Sequence, residues 1–132
     1  MAGYSTTPLA KKLGIVEGSV LVLVHAPPGL QIDLPPDVSV RQRLRGRADV
    51  VVAFFTSVAP LDRRMDALVG EVFPSGGLWI AWPKRSSGIE TDITDHSVRG
   101  LSIPRGLVDN KVCAIDDAWS ALRVVWRREN RT

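Results

Sequence analysis

The chain has 132 residues, 45% of them hydrophobic and 23% charged, with 9 Pro, 11 Gly and a single Cys. A chain near this length buries about 70% of its unfolded surface, and its composition excludes a disordered chain, a collagen-like repeat, a coiled coil and a disulfide scaffold. Seventeen basic residues against 14 acids leave a net charge of only +3, an excess that tolerates an anionic partner without requiring one.

Met1 to Thr7 has neither a basic start nor an apolar stretch behind it, so no secretory signal is expected. The longest uncharged run, Gly18 to Ile32, is broken by Pro27-Pro28-Gly29, and a membrane span needs about 20 apolar residues. Cys113 alone excludes an internal disulfide and a thiolate zinc cage. His25 and His96 are too far apart for a helical metal motif, so neither a metal nor a cofactor is expected. The chain reads as a cytoplasmic protein.

Thr7-Pro8 has the signature of an N-cap followed by proline at the first helical position. Leu9 and Leu13 share a face of that short helix, and Gly14 ends it. Ser19 to Val24 is a continuous apolar run, which suits a strand covered on both faces. The segment 26–36, bracketed by two proline pairs, reads as a loop with at most one helical turn. Val38 to Leu44 alternates as a half-exposed strand, and Asp49 to Phe55 is the strongest buried strand. The link between these two strands is very short for a parallel crossover, which predicts a short or frayed second strand.

Pro60 opens a predicted helix with Leu61, Met65, Leu68 and Val69 in one stripe and Gly70 as its stop. Ser75-Gly76-Gly77 turns the chain into a buried strand over Leu78 to Trp82, where Trp79 and Trp82 face opposite sides. Thr91 or Asp92 caps a predicted helix running to about Arg99, with Asp95 in its first turn. Leu107 to Ile115 and Ala121 to Arg127 flank a hairpin turn at Asp116-Asp117. Apolar strands separated by helices predict one α/β domain over residues 1–132. Its three layers surround a mostly parallel sheet of six strands in the order 2-1-3-4-6-5, the last strand antiparallel.

The stretches Gly3-Tyr4-Ser5, Leu44-Arg45-Gly46, Ala48-Asp49-Val50-Val51-Val52, Trp82-Pro83-Lys84, Gly106 to Val112 and Trp119-Ser120 resemble a bacterial family of small uncharacterised proteins. The element pattern is similar to a shortened, Rossmann-like S-adenosylmethionine methyltransferase fold lacking one strand-helix unit. The resemblance implies a fold and brings no activity with it. The residues depart from a working cofactor site. His25-Ala26-Pro27-Pro28-Gly29 stands where a glycine-rich turn is needed, and its two prolines remove N–H donors. Arginines occupy the region of the ribose-binding acid, so methyl transfer is not expected.

Three groups of residues are candidate sites. His25, Thr56, Ser57, Trp82, Lys84, Ser86 and Ser87 fall at the carboxyl ends of strands or in the loop after the fourth, where open α/β sheets bind ligands. The alternative is an ordinary strand-to-helix loop with Trp82 as packing. Arg41, Arg43, Arg45 and Arg47 suit an anion or nucleic acid; the favoured alternative is a solvated strand edge, with Asp49 paired to one of the arginines. Asp109-Asn110-Lys111 reads either as a polar constellation or as a bulge, with Lys111 paired to Asp109 or to the acidic turn. Cys113 reads as a small core residue.

A non-catalytic binding or regulatory module accounts best for the missing cofactor loop. A small enzyme working at the strand ends and a nucleic-acid binder are the alternatives. A protein partner or a homodimer formed through a sheet edge or the Pro60 helix is compatible with the sequence.

Overall fold

The computed structural model describes residues 7–132, so Gly3-Tyr4-Ser5 lies outside the described residues. The apolar runs form strands β1 (Val20–Val24) and β3 (Val50–Phe54), and every residue of β3 is buried. With β2 (Ser39–Arg41), β4 (Gly77–Pro83), β5 (Leu107–Ala114) and β6 (Trp119–Trp126) they make one sheet in the order 2-1-3-4-6-5, as expected. Ladders β1–β2, β1–β3 and β3–β4 are parallel, whereas β6 runs antiparallel to both β4 and β5. The sheet is therefore mixed. No helix among the described residues is long and apolar enough to cross a membrane.

Alternating side chains divide the core in two. One face of the sheet presents Val22, Val51, Leu78, Ile80 and Leu122 to helices α2 (Val58–Glu71) and α3 (Asp95–Ser102), which supply Leu61, Met65, Leu68 and Val98. The other presents Leu21, Val50, Val52 and Trp79 to the short helix α1 (Leu9–Leu13), through Ala10 and Leu13. Leu30 and Ile32 from the proline-bracketed segment pack on this second face. Trp79 lies in the second core and Trp82 against the first, on opposite sides as period-two geometry demands.

Several boundaries differ from expectation. Helix α1 has Pro8, not Thr7, at its N-cap; Gly14 at φ 81° ends it. Helix α2 begins at Val58 rather than Pro60, and Pro60 sits in the first turn, where its missing N–H has no helical partner to lose. The helix passes Gly70 and ends at Glu71. Helix α3 starts at Asp95, because Thr94 and Ser97 form a reciprocal capping box that neither Thr91 nor Asp92 makes. β2 is only three residues long. The eight-residue link after it contains no helix and is instead held by hydrogen bonds from Arg45, Gly46 and Ala48 to Glu71.

β6 begins at Trp119, two residues early, because the Asp116 carboxylate accepts from the Ala118 and Trp119 N–H groups and closes the turn. The register of β5 against β6 slips between Asp109 and Lys111, which leaves Asn110 as a bulge on the sheet edge.

Candidate functional site

The carboxyl ends of the central strands carry two adjoining recesses. One, of about 410 Å³, is lined by Thr56, Ser57, Glu90, Thr91 and Asp92. Its neighbour, of about 460 Å³, is bounded by Trp82, Lys84, Arg85, Thr94, Asp95 and Ser120, and shares Thr91 and Asp92 with the first. The structure thus brings Thr56 and Ser57 into one recess and Trp82 and Lys84 into the next. His25, Ser86 and Ser87 line neither of them. His25 is exposed with φ 56°, and its ring meets Phe55 edge-on at 5.0 Å.

What the rim's polar groups do locally defines its chemistry. The Asp92 carboxylate accepts from the Val58 N–H at 2.8 Å and serves as the cap of α2 that Ser57 does not provide. The Thr91 hydroxyl donates to the Thr56 carbonyl at 2.7 Å and accepts from the Ile93 N–H. Ser87 closes its own turn, donating to the Lys84 carbonyl and accepting from Ile89. Asp95 pairs with Arg99 at 3.0 Å; that hydrogen bond, with a second from the His96 N–H, holds its carboxyl below the usual range. Asp92, Thr91 and Ser87 thus fasten one backbone segment to another. Among the described residues, no group of three or more His, Cys, Asp or Glu side chains is placed to hold a metal ion.

The arginine cluster lies on and after the edge strand β2. Arg41 donates to the Arg47 carbonyl at 3.4 Å, and Arg41, Arg43 and Arg45 border a shallow recess of about 330 Å³ with Val40 and Gln42. Asp49 pairs with none of them; its carboxylate accepts from the Val20 N–H at 2.8 Å and joins the starts of β1 and β3. The acid that organises the cluster is Glu71, which the sequence reading missed. Its carboxylate is buried and accepts from the Arg45 and Gly46 N–H groups, both at 2.9 Å.

Glu71→Gln keeps the volume but offers only one acceptor oxygen to two donors. Hydrogen bonds to charged acceptors are the stronger class, so the variant is expected to lose about 2 kcal/mol of stability in urea denaturation. An unchanged midpoint would show that Glu71 is not the anchor of this turn.

Asp109 pairs with Arg99 at 3.0 Å, not with Lys111, and ties β5 to α3. Lys111 forms no ion pair with Asp109 or with the acidic turn at Asp116-Asp117. Another cavity lies between α1 and β5. It measures about 510 Å³ and is lined by Lys11, Lys12, Lys111, Trp79, Val112 and Cys113, among others. Cys113 is half-buried, packed against the second core and also lining this cavity. Burial pushes its thiol up to about 11, while the charge of Lys12 opposes the shift.

No family model matches the chain, and a search of curated proteins finds no relative.

Proposed function

We propose that the chain is a non-catalytic binding or regulatory module on a shortened S-adenosylmethionine methyltransferase-like frame, without a competent cofactor site. The strand order 2-1-3-4-6-5 and the single antiparallel strand β6 are compatible with that frame. The observation that carries the reading is the turn after β1. A cofactor turn brings N–H groups and uncrowded glycines against the ligand. Here Pro27 and Pro28 have no N–H to offer, and His25 takes the left-handed conformation at its start. Gly29 is the turn's one glycine, where the fingerprint of such a turn needs three. At the end of β2, Arg41 and Arg43 stand where a ribose needs an acid and where a sulfonium needs no added positive charge. The residues present do not fit the cofactor.

The rim supports binding over catalysis for a second reason. Asp92 and Thr91 at its centre are engaged in holding Val58, Thr56 and Ile93, which leaves Ser57, Lys84, Arg85, Glu90 and Ser120 around them to meet a ligand. Calorimetric titration with S-adenosylmethionine is expected to give no saturable binding tighter than about 1 mM. Micromolar binding, or methyl transfer to any acceptor, would overturn the proposal.

A further inference from the structure

The chain contains four lysines, and three of them, Lys11, Lys12 and Lys111, line the cavity between α1 and β5. They come from segments a hundred residues apart, and no acid and no arginine borders the same cavity. Among the described residues none of the three forms an ion pair. The position of Lys11 and Lys12 at the carboxyl end of α1 is favourable for the helix by itself. Lys111 has no such reason to be there, because it follows the bulge on an edge strand. Three ammonium groups around one cavity repel each other within a Debye length of about 8 Å, and an anion between them relieves that repulsion. Beside Thr7 and Cys113 the rest of the wall is apolar: Val112, which is 69% exposed, Ala114 and Trp79.

We infer that this cavity binds a small phosphorylated molecule, its phosphate among Lys11, Lys12 and Lys111 and an apolar body against Val112 and Ala114. Phosphate is favoured over a carboxylate by charge. Three ammonium groups match a phosphate monoester of about −1.5 to −2 at pH 7 better than a singly charged carboxylate, and lysine meets phosphate as a compact point charge. This chain has thirteen arginines and places none of them here. The volume of about 510 Å³ is in the range of small-molecule sites. The site lies on the α1 face of the sheet, away from the rim, and does not depend on the methyltransferase comparison.

The test is a calorimetric titration of the full chain with phenyl phosphate, inorganic phosphate and phenol at one ionic strength. Alkylation of Cys113 by neutral iodoacetamide is followed in parallel. Saturable binding of phenyl phosphate is expected, tighter than inorganic phosphate, with Cys113 protected in proportion to occupancy. The variant K11Q/K12Q/K111Q should bind about tenfold or more weakly. It should be at least as stable as the parent without phosphate, since the like-charge repulsion is gone.

Undiminished affinity in the triple variant would overturn the inference, as would unprotected Cys113 at saturation. A less stable triple variant would count against it by giving the lysines a structural role. Equal affinity for inorganic and phenyl phosphate would overturn the apolar half of the site. Binding of a polyglutamate peptide without binding of phenyl phosphate would replace the small molecule by an acidic protein partner. Failure in any of these ways leaves the cofactor titration, and the reading it tests, untouched.

Discussion

Trp79→Ala is expected to lower the unfolding free energy by about 4 kcal/mol, a loss that urea denaturation would register directly. Trp79 is 1% exposed in the middle of β4, packed among the residues under α1. Removing the indole leaves a large void between the sheet and the thinnest of its covering layers. A five-residue helix has little stability of its own, so α1 depends on this contact. The indole N–H also donates to the Leu13 carbonyl at 3.0 Å, satisfying one of the acceptors that the end of α1 leaves open. Trp79→Phe separates the two contributions. It retains most of the packing but leaves that carbonyl without its partner, and is expected to cost about 1 to 2 kcal/mol. Equal losses for both variants would mean that the hydrogen bond, not the packing, holds α1 down.

Gly76→Ala is expected to destabilise the protein by about 3 kcal/mol, although the change adds a single methyl group. A Cβ at this position would lie 2.6 Å from the Ala48 carbonyl oxygen, 3.0 Å from that of Asp49 and 3.1 Å from the Val72 Cβ. Two of the three obstacles are backbone. The Gly76 N–H is bonded to the Val72 carbonyl and its neighbour Gly77 to that of Asp49, so the turn into β4 has no room to retreat. Gly77→Ala is the control. There the methyl group would meet the guanidinium of Arg123, the far end of a flexible side chain that can swing aside. A loss below about 1 kcal/mol is expected for it. If the two alanine variants unfold at the same denaturant concentration, backbone crowding is not what keeps Gly76 a glycine.

The parts of the fold legible in the sequence are those governed by neighbours along the chain. Asp49-Val-Val-Val-Ala-Phe-Phe reads as a buried strand because an uninterrupted apolar run has no solvent face, and β3 is buried throughout. The shortness of β2 follows from the eight residues between it and β3. The bulge at Asn110 follows from polar residues in consecutive positions on a strand.

The interactions that escaped detection join distant segments. Asp92 caps a helix 34 residues before it, Glu71 holds a turn 25 and 26 residues before it, and Asp49 reaches back 29 residues to β1. Nothing in the local pattern of an exposed acid distinguishes these from solvated charges. The misplaced start of α3 has the same origin: Thr91, Asp92 and Thr94 are all competent N-caps, and Thr91 and Asp92 are taken by the start of α2. The candidate rim was legible in outline, since Thr56, Ser57, Trp82 and Lys84 do line its recesses. The lysine cavity was not, because its two halves come from opposite ends of the chain.

β6 follows β5 in the chain, yet it lies between β4 and β5 and, among the described residues, is the only strand paired with β5. During synthesis the sheet therefore cannot be completed in the order in which its strands leave the ribosome. Until Trp119 to Trp126 has emerged, β4 presents an open edge running through Leu78, Trp79 and Ile80, and β5 has nothing to pair with. An unpaired apolar edge of this kind is a template for wrong partners. A nascent chain halted short of Trp119 thus lacks the strand that joins β5 to the rest of the sheet, and only contacts such as Arg99–Asp109 hold β5 to the domain. The emergence of β6 is what closes the β4 edge and gives β5 its partner.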